Sequence, residues 1–356
     1  MSKKALTLFD PAVAGDLRLK NRIVLAPLTR TRAVGGARIP NALMAEYYSQ
    51  RASAGLILTE ATSITPMGVG YPDTPGIWSK EQVAGWRQIT NAVHNKGGQI
   101  VLQLWHVGRI SDPSFLGGLA PVAPSAIAAD GYVSLLRPKR AFPVPRALKT
   151  EEIKPIIEAY AIGAKNAELA GFDGVEIHGA NGYLPDQFLQ DSTNKRTDEY
   201  GGNIINRARF LLEATDAAIS VYGPGRVGVH ISPRGQSNSM GDSDPKALFS
   251  YVASSLRERG VAFIFSREHE GSDSLGPHLK KTFGGHFIAN EGFTQESAEA
   301  ILKRGEADSI AFGRLFIANP DLPARFLKQA SLNEINTATL YGSTGEGYTD
   351  YPSLPG

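Results

Sequence analysis

Residues 174–188, "GVEIHGANGYLPDQF", run as a strand-like apolar segment and then place His178, Asn181 and Tyr183 within six positions. A histidine and a carboxamide can both donate hydrogen bonds to an oxygen on which negative charge develops. A tyrosine, with an unperturbed pKa of ≈ 10, keeps its proton at neutral pH and can deliver it to a basic centre. The three residues therefore have the chemistry of two fixed donors and one acid. They would be equally ordinary as satisfied polar residues of a loop that closes a strand.

The same kind of group recurs at the ends of other β-rich runs. Thr29 follows the first run and Ala61 the second, and Gln103 with Trp105 and His106 stands at the third. His230 falls inside the fifth and Arg267 near the end of the sixth; Asn290, Glu291 and Gly292 follow the seventh, and Gly313 and Arg314 the eighth. No lysine stands at such an end and carboxylates are few, which argues against a Schiff-base aldolase and against a retaining glycosidase with two facing carboxylates. The histidines are too dispersed for a metal hydrolase, so no metal is expected. Backbone amides of "NEG" and "GR", with the Arg314 guanidinium, would form a phosphate cradle where barrel enzymes often keep one; the alternative is that Gly313 only turns the chain and Arg314 is solvated.

These residues need a scaffold that gathers strand ends. Eight short β-rich runs, 22–28, 56–61, 99–104, 174–179, 227–232, 262–268, 286–291 and 309–314, are nearly continuous in apolar residues, as parallel strands covered on both faces should be. Amphipathic segments lie between them. Ser79 and Gln82 form a capping box ahead of a stripe that stops at Gly97-Gly98; Thr150 opens a helix that runs to Gly171, Asp244-Pro245 one that ends at Gly260, and Thr294 one that ends at Gly305. Eight strands alternating with helices, without a GxGxxG after the first, predict an α/β fold of the closed (β/α)8 TIM-barrel type, with the whole chain, 1–356, as one unit. Residues 5–20 predict a hairpin that plugs the barrel's bottom. The Gly-, Pro- and Ala-rich interval 107–148 is too long for a routine connection and predicts an excursion over the barrel mouth.

Composition narrows the function classes further. The 37 Lys+Arg and 35 Asp+Glu are scattered and nearly balanced, so neither nucleic acid nor a membrane surface is an expected partner. With no cysteine, disulfides, iron–sulfur clusters and thiol nucleophiles are excluded together. No stretch approaches the ~20 apolar residues of a membrane helix, and a cytoplasmic location is the expectation.

"APLTR" at 26–30, "AEYYSQRASAGLILTEAT" at 45–62, "QLWHVGR" at 103–109, "HGANGYLPDQFLQDSTNKRTDEYGG" at 178–202, "FGRLFIANPDL" at 312–322 and "YGSTGEGYTDYP" at 341–352 are similar to the Old Yellow Enzyme family of flavin-dependent ene-reductases. The likeness is closest to its bacterial N-ethylmaleimide and nitrate-ester reductase branch and spans nearly the whole chain. It implies non-covalent FMN, with Pro27, Leu28 and Thr29 against the ring, Ala61 and Gln103 at its pyrimidine part, and Gly292, Gly313 and Arg314 at the phosphate. Tyr71, Trp105 and Tyr341 would line the substrate side.

The resemblance further implies two half-reactions at one site, with NADPH or NADH as hydride donor and an activated alkene, or a nitrate ester or nitroaromatic, as acceptor. His178 and Asn181 would hold the carbonyl oxygen and Tyr183 would protonate the α-carbon. One position departs from the family pattern: an arginine usually stands where this chain has His230, and a histidine near pH 7 offers a hydrogen bond without the charge. Arg226, at the strand's other end, should point to the barrel's bottom. "NKRTDEYGG" is expected to be a hydrogen-bonded structural loop. Another phosphate-binding barrel enzyme, or a flavin-binding redox sensor without alkene turnover, would fit the same residues. A monomer or homodimer is expected.

Overall fold

The computed structural model describes residues 6–355. Eight parallel strands, Ile23–Leu25, Leu56–Leu58, Ile100–Trp105, Gly174–Gly179, Val227–Ile231, Phe263–Arg267, His286–Asn290 and Ser309–Phe312, pair in chain order. The eighth returns to the first through Ile310↔Ile23 and Phe312↔Leu25, which closes the barrel. All eight expected strands are present, and the third, fourth and fifth are buried along their whole length. That is why their sequences read as continuous apolar runs rather than as alternating ones.

Alternation nonetheless governs where each side chain goes, because successive strand residues face opposite sides. Leu102, Leu104, Val175, Ile177, Val227 and Val229 face outward into the layer beneath the helices. Val24, Leu58, Val101, Phe263, Phe265 and Ile288 fill the barrel interior. Gly228 leaves room there: a Cβ would stand 2.1 Å from the Phe263 ring. The hairpin Ala12–Ala14 with Leu17–Leu19 is antiparallel, and its Ala14, Leu17 and Leu19 join the interior cluster from below, as a plug should. Residue 5 lies outside the described residues.

The helices begin and end close to where their caps predict. Lys80–His94 starts at the Ser79–Gln82 capping box, Pro245–Arg259 ends at a left-handed Gly260 and Gln295–Arg304 at a left-handed Gly305. One cap differs. Thr150 is the first residue of helix Thr150–Leu169, and Lys149 precedes it with its N–H bonded to Glu152 Oε2 at 2.8 Å. The Thr150 hydroxyl instead donates to Asp198 Oδ2 at 2.6 Å. Tertiary structure claims this side chain because Asp198 anchors the 194–202 loop: it accepts from Arg196 Nε at 3.0 Å, while Arg196 Nη1 donates to the Pro124 carbonyl.

Residues 107–148 leave the third strand and return to the helix at Thr150. Val122–Ala123 pairs with Arg146–Ala147, and Tyr132 bridges to Ala141 at the tip. No helix among the described residues is long and apolar enough to cross a membrane.

Candidate active site

The fourth strand ends at Gly179, and the chain turns at once into the short helix Leu184–Leu189. That helix locks the turn from behind. Asp186 Oδ2 accepts the Gly182 N–H at 2.8 Å, and Gln187 Nε2 donates to the Gly182 and Val107 carbonyls at 2.7 and 3.0 Å. Asn181 adopts φ +59° and Gly182 φ +77°. At Gly182 a Cβ would meet Asn238 Cβ, Met240 Cγ and the Ser237 carbonyl, each at 2.8 Å. Gly182→Ala is therefore expected to cost ~1–3 kcal/mol of stability, read as a lowered midpoint in thermal unfolding.

The turn brings together side chains from four segments. His178 is 4 % exposed and lies between Tyr183, at 4.9 Å between ring centroids, and His230 of the fifth strand, stacked at 4.9 Å and 7°. The Tyr183 hydroxyl is 2.9 Å from that of Tyr71. Trp105 stands behind both tyrosines, 5.3 Å from Tyr71 and edge-on to Tyr183 at 5.0 Å. It was expected on the substrate wall, but it is fully buried and borders neither of the two cavities described below.

Burial sets the protonation states. His178 is pushed down to about 3 by loss of water, with the positive charge of Arg267 adding to the effect. His230 moves the same way for the same reason, with His178 and Arg267 contributing. Both imidazoles are neutral donors at physiological pH. Gln103 Nε2 lies 3.1 Å from His230 Nδ1 and also donates to Glu176 Oε2 at 2.7 Å. An amide nitrogen has only hydrogens to offer, so His230 Nδ1 accepts and its Nε2 carries the proton. Tyr183 is held well above 10 by burial first, then by Tyr71, so it keeps its proton.

Glu176 lies inside the barrel on the same strand face as His178, fully buried, and desolvation raises its carboxyl to about 8 against the single opposing hydrogen bond from Gln103. A carboxyl pKa higher folded than unfolded means the folded state holds the proton longer. Its stabilising contribution is complete below about 4.5 and is lost as pH rises toward 8. Glu176→Gln should flatten the stability–pH curve across that window, a difference of a few kcal/mol at its alkaline end, measurable by denaturant unfolding at pH 5 and pH 8.

A cavity of about 1370 Å³ runs from Pro27 and Leu28 past Asn181 and His230 to Asn290, Glu291, Gly292, Gly313 and Arg314. A second, of about 470 Å³, is bordered by Thr29, Tyr71, Tyr183 and Tyr341 together with residues 132–135 of the excursion. Tyr341 borders both. Ala61 and Gln103 are buried and border neither.

The larger cavity's donor set suits a phosphorylated flavin. His230 Nε2, on this cavity, has no hydrogen-bond partner among the described residues, which fits a polar ring atom opposite it; His178, stacked on His230, is buried, lines neither cavity, and its Nδ1 is likewise unpaired among those residues. At the other end Gly313 lies so close to Leu28 that a Cβ would stand 3.3 Å from its Cδ2. The Arg314 side chain is exposed there, a guanidinium available to a phosphate.

Glu291 complicates that end. Its φ of +125° is one that a non-glycine residue adopts at a cost of ~1–3 kcal/mol. Its carboxylate pairs with Arg267 at 2.7 Å, with His269 3.5 Å away. Sequence reading placed Arg267 at a strand end and gave it no role. It also missed three buried arginines that fasten the C-terminal segment carrying Tyr341. Arg30 donates to the Leu340 and Gly347 carbonyls at 2.9 and 2.7 Å, Arg32 to Leu340 at 3.0 Å, and Arg51 to the Tyr348 carbonyl at 3.4 Å as well as to the Phe316 and Ile317 carbonyls at 2.9 Å each. Their signal was only the repeated arginine in "TRTR" and "QRA" beside apolar runs.

The chain matches the model of the NADH:flavin oxidoreductase / NADH oxidase family over residues 7–333. It is 43% identical over 371 residues to 12-oxophytodienoate reductase 2 of Arabidopsis thaliana, covering 99% of this chain and 97% of that protein. Identity is 44% over 365 residues to a probable flavin mononucleotide-dependent alkene reductase of Leishmania infantum, covering 99% of each. Among solved structures, the old yellow enzyme homologue from Zymomonas mobilis superposes with a TM-score of 0.95 at 46% identity, covering 98% of this chain and 100% of that one. Morphinone reductase in complex with tetrahydroNAD gives a TM-score of 0.95 at 46% identity, covering 98% of each. The barrel, its donors and these likenesses agree that the chain belongs to the NADH:flavin oxidoreductase / NADH oxidase family, among the Old Yellow Enzyme homologues, with FMN as its cofactor.

Proposed function

We propose that this chain reduces the activated C=C bond of α,β-unsaturated carbonyl compounds such as maleimides and cyclic enones, with NADPH or NADH as reductant. Nitrate esters and nitroaromatics are further acceptors of the same electron pair. The observation that carries the reading is the placing of all three groups, His178, Asn181 and Tyr183, at one strand end, with the His178 and Tyr183 rings 4.9 Å apart, Asn181 on the larger cavity and Tyr183 on the second.

When bound, FMN supplies a two-electron hydride relay between the nicotinamide and the alkene. Pro27, Leu28 and Thr29 would support its ring, His230 Nε2–H would face its pyrimidine edge with Gln103 holding His230 from behind, and Asn290, Glu291 and Gly292, with Gly313 and Arg314, would face its phosphate end. His178 and Asn181 hold the carbonyl oxygen of the enone, where negative charge gathers as hydride arrives at the β-carbon. Tyr183 then gives its proton to the α-carbon, a far stronger base as a carbanion than the phenoxide left behind. Tyr71, hydrogen-bonded to Tyr183, is placed to stabilise that phenoxide. Tyr341 and the 107–148 excursion exclude water from the second cavity. The reading takes the chain as one FMN-binding barrel unit, cytoplasmic, working as a monomer or homodimer.

The test is anaerobic mixing of the yellow holoenzyme with each nicotinamide, followed by 2-cyclohexenone. Bleaching by the nicotinamide and recovery of colour on the enone supports the proposal. A colourless protein that cannot be reconstituted with FMN, or a bleached one that the enone does not reoxidise, overturns it.

A further inference from the structure

Arg267 is the last residue of the sixth strand and shares the interior-facing side with Phe263 and Phe265. Its guanidinium spans the larger cavity between two elements. Nη1 donates to Asn181 Oδ1 at 2.9 Å, and Nη2 donates to Glu291 Oε1 at 2.7 Å. We propose that Arg267 is a positioning residue that fixes the sense of the Asn181 amide, and that Glu291 is kept at its unfavourable φ to hold Arg267 in place; this rests on the reading of Asn181 as a donor to the substrate oxygen.

A guanidinium has five N–H donors and no acceptor. The Asn181 atom facing it must therefore be the oxygen, and the Nδ2 hydrogens are turned to the opposite side. Without that contact, an amide on a turn can flip and present its oxygen instead, which would repel an enolate. The Asn181 backbone is fixed independently: its N–H donates to Ser232 Oγ at 2.9 Å and its carbonyl accepts from Asn238 Nδ2 at 2.7 Å. What is left is the side chain's own torsions, and the bond from Arg267 to Oδ1 settles which way the amide faces.

The far end of the arm explains the strain. Glycine would adopt φ +125° without penalty, yet a glutamate occupies position 291. Its side chain does what a glycine could not, which is to hold the second edge of the guanidinium fork. A planar fork reaching two oxygens on different elements is a geometry that lysine cannot reproduce.

The test uses the oxidised holoenzyme and para-chlorophenol, whose binding is followed by its long-wavelength charge-transfer band, alongside thermal unfolding. Asn181→Ala weakens phenol binding. Arg267→Met weakens it about tenfold, but changes it less than twofold in the Asn181→Ala background, because there is no amide left to orient. Arg267→Lys behaves like Arg267→Met. Glu291→Gly weakens phenol binding while its unfolding midpoint stays level or rises, so that stability and binding move in opposite directions.

Additive losses from Arg267→Met and Asn181→Ala, or full rescue by Arg267→Lys, overturn the proposal in favour of a charge effect. Unchanged phenol binding in Arg267→Met with weakened binding in Asn181→Ala overturns the positioning role and leaves the donor reading standing. Unchanged binding in Asn181→Ala removes the donor reading and this inference with it.

Discussion

Tyr183→Phe is expected to slow reoxidation of the reduced enzyme by 2-cyclohexenone by about 10²–10⁴-fold, the range a positioned general acid contributes. Its reduction by the nicotinamide should stay within a small factor of the parent rate, since hydride transfer from nicotinamide needs no proton. The asymmetry follows from where the hydroxyl lies. Its hydrogen-bond partner among the described residues is the Tyr71 hydroxyl at 2.9 Å, and Tyr183 borders the second cavity. Removing it leaves the ring's contacts with Trp105 and His178 in place, so the site keeps its shape. Stopped-flow absorbance of the two half-reactions measures both rates. Equal losses in both would take the proton-donor role away from Tyr183.

His178→Ala is the second large effect, with a loss of about 10²–10³-fold in enone reduction if the imidazole acts as an oxyanion-hole donor. Because burial pushes His178 down to about 3, the parent enzyme's affinity for a neutral enone should not vary between pH 5 and 8 through this group. A donor that had to be protonated would lose affinity as pH rose through 6.5. The KM for 2-cyclohexenone measured across that range separates the two cases. A fall in affinity that tracks a pKa near 6.5 and disappears in His178→Ala would mean that the imidazole works as a cation. Asn181 remains in the variant, so residual activity above that of a doubly substituted His178→Ala/Asn181→Ala enzyme is expected.

Much of this site could be read from residue order. The eight strands declare themselves because strands buried on both faces are mostly apolar, so the few polar residues within them and those that follow them stand out. His178, Asn181 and Tyr183 were found in that way, as was the Asn290–Gly292 and Gly313–Arg314 end of the cavity. Thr150 begins its helix as expected but does not cap it, because a hydroxyl beside two glutamates suits either a cap or a tertiary contact, and Asp198, 48 residues away, decides it. Glu176 was passed over for a different reason, and Arg267, noted at its strand's end, was given no role. Only the two-residue alternation shared with His178 and Phe265 shows that both face inward. The question left by the departure at position 230 has a physical answer: His230 is neutral, and the nearby guanidinium belongs to Arg267 on the next strand.

The ring closure has a consequence for how the molecule is made. The first strand finds one of its two neighbours only when Ile310 arrives, about 285 residues after Leu25 has been synthesised. At ~5–20 residues per second that is on the order of 15 to 60 s during which one sticky strand edge waits on the ribosome. Arg30 and Arg32 wait longer still, for carbonyls at 339–347. Newborn chains stalled or cut short before the eighth strand should therefore be the ones that chaperones hold and that aggregate.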